Sequence, residues 1–220
     1  HRYLYYLFYD RLRKYDPDGN LIWECLFQFE SWSDRTLIRF DSEDNILINW
    51  QKVFHLNGFP PQKIFITKVN HTGVLEWSRL YDERQGMSYT TDLALDSANN
   101  IYLAYSTVDN TNNGDNWGTN FLRKINSNGD TLWCYRHIGM KCYNPFSLDI
   151  KQPGYILAKL NYDEGQDSVF VIGPDGVLVN QYGLGSGWYS NIENANGSYY
   201  YIKPNLYVYN FKAIRSGLNY

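Results

Sequence analysis

Hydrophobic and polar residues alternate in short runs along the whole chain, and clusters of Gly, Asn, Asp and Pro separate the runs. FLRKI (121–125), TLWCY (131–135), NIYLAYS (100–106) and SYYYIKP (198–204) are examples. A period of two places every second side chain on one face, which is the signature of a strand with one buried side. No window combines apolar residues at i, i+3, i+4 and i+7 with capping residues, so the pattern predicts an all-β chain.

The runs are organised into repeats. One pattern occurs as YDPDGNLIW at 15–23, VNHTGVLEW at 69–77, INSNGDTLW at 125–133 and, altered, IGPDGVLVN at 172–180. Its glycines are Gly19, Gly73, Gly129 and Gly176, followed four residues later by Trp23, Trp77, Trp133 and Asn180. Between these lie hairpins of a second type: LIRFDSEDNILIN (37–49), LALDSANNIYLAY (93–105), LDIKQPGYILAK (148–159) and IENANGSYYYI (192–202). Two alternating runs joined by an Asx- or Gly-containing turn read as a hairpin. Two hairpins per repeat make four strands, the strand count of a propeller blade.

The expected fold is therefore a β-propeller of four-stranded antiparallel blades in a single domain spanning 1–220. Taking the DSANN-type hairpin as the inner pair, complete blades fall at 36–78, 91–135 and 146–181. Partial blades fall at 3–25 and 190–214. About five blades would make a small ring, and a fragment of a larger propeller fits the same pattern. The end segments 3–9 and 206–214 would pair with each other in one terminal blade or meet a neighbouring chain, since open strand edges invite pairing. Trp23, Trp77 and Trp133 would occupy equivalent strand positions, largely buried between blades.

The strand RKYDPDGNLIW, with TKVNHTGVLEW, RKINSNGDTLW and LDSANNIYLA, resembles the bacterial β-propeller repeat family over 11–203. That resemblance implies a secreted or cell-surface protein with an interaction role. The D-x-x-G-x-x-x-W part is also similar to the tryptophan-docking repeats of quinone-type propellers, which implies that each Trp wedges between neighbouring blades. No residues of a quinone site carry over, and no cofactor is expected.

Composition narrows the chemistry. Aromatic residues make up 18% of the chain, with 21 tyrosines, about twice the usual share. They suit pleated, half-buried surfaces, and would also suit a face that binds sugar or peptide. The net charge of −3 is evenly spread. Neither a basic stripe for nucleic acid nor a basic amphipathic helix for a membrane surface appears. The apolar runs are of strand length, so no membrane span is expected. His1 in place of Met is compatible with removal of an N-terminal segment, a cleaved signal peptide being one reading. The expected location is secreted, periplasmic or cell-surface.

Cys25, Cys134 and Cys142 fit no zinc spacing, and the scattered histidines offer no metal pair. Buried thiols or a Cys134–Cys142 disulfide remain open. Asn70-His71-Thr72 and Asn196-Gly197-Ser198 match the N-glycosylation pattern. DPDGN at 16–20 reads as a glycine-punctuated turn and not as a calcium loop.

Two sets of residues are candidates for a site. Aligning the inner strands places Arg39, Asp149 and Glu193 at one level, with Asp92 two residues earlier. Asp92, Asp149 and Glu193 are candidate acid and base groups for a glycan hydrolase, which would need two carboxyls about 5–10 Å apart. Polar side chains lining a water-filled channel need no function. Phe59, Trp117 and Trp188 are expected in connecting loops, near Asn57, Asn116 and Ser186 or Ser190. The longest of these loops are expected at 51–63 and 106–120. A flat aromatic beside amides and hydroxyls can stack on a sugar ring, so Trp117, Trp188, Phe59, Asn116 and Arg39 are the ligand-binding candidates. The expected function is non-catalytic binding of a protein or glycan partner, within a larger extracellular assembly or alone. The alternative is a glycan-acting hydrolase.

Overall fold

The computed structural model describes the backbone of residues 3–8, 11–27, 36–53, 62–82, 87–108, 117–141, 147–151, 154–160, 167–185, 192–195, 198–202 and 208–212. Side chains are described for most of these up to Gly183. Among the described residues all the regular structure is β, in eighteen strands, and none is helical. Among the described residues, no helix is long and apolar enough to cross a membrane.

The strands form five antiparallel sheets in chain order. Sheet 1 holds β1 (Leu4–Phe8), β2 (Arg11–Tyr15) and β3 (Leu21–Leu26). Sheet 2 holds β4 (Leu37–Phe40), β5 (Ile46–Val53), β6 (Gln62–Val69) and β7 (Leu75–Leu80). Sheet 3 holds β8 (Met87–Leu95), β9 (Ile101–Val108), β10 (Trp117–Ile125) and β11 (Thr131–Lys141). Sheet 4 holds β12 (Ser147–Lys151), β13 (Tyr155–Leu160), β14 (Asp167–Ile172) and β15 (Leu178–Gly185). Sheet 5 holds β16 (Ile192–Ala195), β17 (Ser198–Ile202) and β18 (Val208–Lys212). In each sheet, strands adjacent in sequence are adjacent in space, the order expected of a meander. Among the described residues, the two end segments do not pair with each other. β1 pairs β2 and β18 pairs β17, in separate sheets.

Alternation decides which side chains each sheet buries. Ile46, Ile48 and Trp50 of β5 turn toward sheet 1, where they meet Leu12, Cys25 and Phe27. Leu47, with Ile64 and Ile66 of β6, turns the other way and meets Leu93, Leu103, Tyr105 and Phe121 of sheet 3. Tyr102, Ala104 and Leu122 use the opposite face of sheet 3 against Ile156, Ala158 and Phe170 of sheet 4. Sheets 2 and 3 are thus apolar on both faces. Apolar burial, at about 25 cal/mol per Å2, stabilises each of these three junctions.

Six turns at one end of the sheets share a single chemistry. Asp16, Asp41, Asn70, Asp96 and Asn126 each accept, on Oδ1, the backbone N–H groups two and four residues ahead at 2.8–3.1 Å. The sixth, at Gly173, keeps the backbone bonds without the side chain. Each turn then needs a residue with φ near +60° to +90°. The outer turns use Gly19, Gly73, Gly129 and Gly176, and the inner turns of sheets 2 and 3 use Asp44 and Asn99. A one-residue slip in register follows at Lys14/Tyr15, Lys68/Val69, Lys124/Ile125 and Val171/Ile172. The turn and bulge recur as one unit.

Two linkers are shorter than their polarity predicts. β5 continues to Val53, β9 to Val108, and β10 begins at Trp117. Ser106, Thr107, Thr119 and Asn120 read as loop residues, yet they lie buried within paired strands.

Candidate functional site

The inner strands β4, β8 and β12 bring the predicted charged set together in part. β8 carries an extra residue at Thr91, so that Thr90 pairs Tyr105 while Asp92 pairs Ala104. The bulge turns Asp92 onto the face shared with Ala104, toward sheet 4. There Asp92 Oδ2 accepts the backbone N–H of Leu148 at 2.9 Å. Its Oδ1 accepts its neighbour Leu93 N–H at 2.8 Å and the Arg39 guanidinium of sheet 2 at 3.3 Å. One carboxylate therefore ties three consecutive sheets. Asp149 is half-buried on β12, opposite Leu157. Glu193 stands on β16 opposite Tyr200, and its side chain lies outside the described residues.

Of the aromatic and amide candidates, Trp117 is the first residue of β10, paired with Lys141, and is not a loop residue as expected. Phe59, Asn116 and Trp188, with Asn57, Ser186 and Ser190, lie outside the described residues. Cys25 is a buried thiol, and burial pushes its pKa up. Cys134 is exposed on β11, while Cys142 lies outside the described residues, and so does any pairing between them.

The tryptophans take the equivalent positions that the repeat requires. Trp23, Trp77 and Trp133 each pair across the outer hairpin with a lysine, Lys14, Lys68 and Lys124. Each indole lies over the turn glycine of the next sheet. A Cβ at Gly73 would sit 2.7 Å from Trp23 Cδ2, and one at Gly129 3.2 Å from Trp77 Cδ2. At Gly176 the corresponding gap to Trp133 is 2.6 Å. Each indole N–H donates to the carbonyl two residues before that glycine: Trp23 to His71 at 3.1 Å, Trp77 to Ser127 at 3.2 Å, Trp133 to Pro174 at 2.9 Å. Because the indoles close the rim of each junction, they are half-buried, somewhat less than the largely buried positions expected.

A second recurring link joins inner and outer turns. Lys68 Nζ lies 3.4 Å from Asp41 and 3.2 Å from Glu76. Lys124 Nζ lies 3.7 Å from Asp96 and over the Tyr102 ring. Burial pushes the Asp41 and Asp96 carboxyls up. The hydrogen bonds each accepts, from Asn45 and Glu43 or from Asn100, Tyr102 and Ala98, outweigh it and hold both below the usual range.

The far end of the sheets, away from the turns, is different in kind. Asn49 and Gln51 of β5 face sheet 3, where Thr90 and Thr107 face back; all four are at most 2% exposed. Among the described residues, Oδ1 of Asn49, Nε2 of Gln51 and Oγ1 of both threonines have no hydrogen-bond partner. Ser88 Oγ donates to Asp82 nearby. Closer to the turns, Arg123 donates to the Tyr81 carbonyl at 3.0 Å, the Tyr105 hydroxyl at 3.1 Å and Thr131 Oγ1, just past the outer turn, at 3.0 Å. The only sequence trace of this polar seam is polar residues interrupting an apolar alternation.

No protein-family model matches the chain. No curated protein matches it either.

Proposed function

We propose that the five sheets are blades of a β-propeller and that the protein is a non-catalytic binding scaffold, secreted or surface-exposed, of the bacterial repeat type. The observation that carries the binding reading is the segregation of the two ends of the sheets. The Asx–Gly turns all occupy one end, where their side chains are spent on the turns themselves. The segments 54–61, 109–116 and 186–191, which contain Phe59, Asn116 and Trp188, all connect strands at the other end, where Trp117 begins β10. Connecting segments on a rigid scaffold are where binding groups concentrate. A protein or glycan partner would be met there.

Asp92 weighs against the hydrolase reading. Both of its oxygens are engaged by backbone N–H groups and Arg39, which is the role of a structural tie. A general acid must instead be free to reach substrate. The test is a glycan and protein array probed with the purified chain, alongside assays for glycan hydrolysis. Signal on the array that survives Asp149→Asn and falls with Trp117→Ala is the expected result. Hydrolysis that disappears in Asp149→Asn would overturn the proposal in favour of catalysis.

A further inference from the structure

Five of the turns begin with an Asx side chain, and in four of them its second polar atom is engaged by the residue four positions on. Asp16, Asp41 and Asp96 accept on Oδ2 from the amides of Asn20, Asn45 and Asn100, each at 2.9 Å. Asn126 Nδ2 donates to Asp130 Oδ2 at 3.2 Å. The turn at Asn70 has Val74 at that place, whose side chain offers no polar atom. Among the described residues, Asn70 Nδ2 makes no hydrogen bond.

The oxygen of the same amide is fully used. Asn70 Oδ1 accepts the backbone N–H groups of Thr72 at 3.1 Å and Val74 at 2.9 Å, and the Thr72 hydroxyl at 2.7 Å. Backbone N–H groups can only donate, so the atom facing them is the oxygen and the nitrogen is turned away from them. Among these five turns only this one carries a hydroxyl two residues after the Asx residue; the others have Asp18, Glu43, Ala98 and Asn128. The turn backbone is held from two sides. The His71 N–H donates to Asn45 Oδ1 at 3.1 Å, and the Trp23 indole donates to the His71 carbonyl at 3.1 Å. Asn70 is half-buried, while His71, Thr72 and Val74 beside it are exposed.

We infer that Asn70 is an acceptor for an N-linked glycan, presented by the folded turn with its nitrogen free. Asn70-His71-Thr72 is the acceptor pattern, and the geometry adds what a pattern of three residues lacks. In the transfer, Asn70 Nδ2 displaces the diphosphate of a lipid-diphosphate-linked glycan. The bond from Nδ2 to the anomeric carbon forms, and the bond from that carbon to the diphosphate oxygen breaks with its electron pair. The amide proton passes to a base of the transferase. The three donors on Oδ1 stabilise the negative charge that the oxygen takes up as this proton leaves. The product is a secondary amide whose oxygen still accepts all three bonds, so the glycan costs the turn no hydrogen bond. The same reaction at Asn126 would break its bond to Asp130. Use of the site in the cell rests on the exported reading proposed above, whereas the acceptor geometry does not.

The test is transfer in vitro to the folded full chain, with a purified oligosaccharyltransferase and a lipid-diphosphate-linked glycan as donor. Trypsin releases residues 69–79 as one peptide, so mass spectrometry reads occupancy at Asn70 directly. A glycan on that peptide is expected, and its loss with Asn70→Gln. Val74→Asp supplies at this turn the partner that Asn126 has in Asp130. It should slow transfer at least about tenfold, because one charge-assisted bond must then break. Val74→Ala adds no polar atom and should leave the rate unchanged; both variants are checked for native circular dichroism. A linear peptide of residues 69–79 carrying Val74→Asp should react like its parent, since the effect requires the turn. Absence of transfer to Asn70 in the folded chain, or transfer that appears only in denaturant, would overturn the inference. So would a rate indifferent to Val74→Asp, or one slowed equally in the linear peptide, because the free amide would then not be what presents Asn70.

Discussion

Sheets 3 and 4 are neighbours with the same strand order and the same outer turn, yet only one carries the full set of linking residues. Sheet 3 receives Trp77 on Gly129 and passes on Trp133. Within it, Asp96 accepts from Tyr102 and lies beside Lys124. Sheet 4 receives Trp133 on Gly176 but has Asn180 where the next Trp would be. It also has Lys151 at the place of Asp96 and Val171 at the place of Lys124. The features are missing in pairs: where sheet 4 lacks the aspartate it also lacks the lysine that would lie beside it. Gly176 is retained because its requirement comes from sheet 3 and not from sheet 4. Each repeat must therefore be read as half of two junctions.

The sharpest way to break this comparison is to remove the passing residue. Trp77→Ala should destabilise the fold by about 3 kcal/mol, from lost burial over Gly129 and the lost bond to Ser127. Asn180→Ala, at the equivalent position of sheet 4, should change stability by less than about 0.5 kcal/mol, since Asn180 is exposed and, among the described residues, its hydrogen bonds stay within its own strand. Urea unfolding of both variants measures the difference. Equal losses would show that the indole junction is not what holds consecutive sheets.

The receiving side gives the next largest effect. Gly176→Ala places a methyl within 2.6 Å of the Trp133 ring and should cost about 1–3 kcal/mol beyond its backbone strain. Gly19→Ala meets no neighbour, so it should cost only the left-handed strain of about 1 kcal/mol. Thermal unfolding of the pair separates steric from conformational cost. If Gly19→Ala proves the more damaging, the indole explanation of the glycines fails.

The aspartate that sheet 4 lacks gives an effect that depends on pH. Asp96 is held below the usual carboxylate range in the fold, so its contribution is present above an unfolded pKa of about 3.9. That contribution is lost as pH falls through the folded value. Asp96→Ala should cost about 1–2 kcal/mol at pH 7, and the gap from the native chain should narrow below pH 4. A gap that is constant from pH 7 to pH 3 would mean that the carboxylate charge contributes nothing.

Much of this architecture was legible in the chain because it is local. Two-residue alternation, a turn of Asx and Gly, and a Trp four residues on specify each hairpin, and the strand pairs fall where that pattern puts them. The site was less legible because it depends on events that alternation cannot show. The bulge at Thr91 re-aims Asp92 by one residue, and aligning strands by eye cannot detect one extra threonine between Thr90 and Asp92. Thr107 and Thr119 read as loop because buried polar strands break the rule that strand interiors are apolar. Glycine identity in the outer turns showed a turn, but the reason for it lies about fifty residues away in the preceding indole.

The smallest expected effect sits at the junction of sheets 3 and 4 itself. His137 of β11 pairs Asn120, and its ring lies 4.8 Å from that of Phe170 in sheet 4. The corresponding residue of sheet 2 is Tyr81, whose hydroxyl donates to the Gly129 carbonyl across the equivalent junction. Burial lowers the His137 pKa below its ordinary 6.5. The unfolded chain therefore takes up a proton at a higher pH than the folded one, and protonation favours unfolding. Stability should fall as pH drops below about 6.5 and level off below the folded pKa, where both states are charged. The native chain should melt a few degrees lower at pH 5 than at pH 7.5, a shift of that size corresponding to about 1 kcal/mol or less. His137→Phe, which keeps the contact with Phe170 and cannot titrate, should flatten the profile in this range. A His137→Phe profile that still falls between pH 7.5 and pH 5 by the native amount would assign the effect to another group. Stability of the sheet 3–sheet 4 junction would then be independent of the charge at position 137.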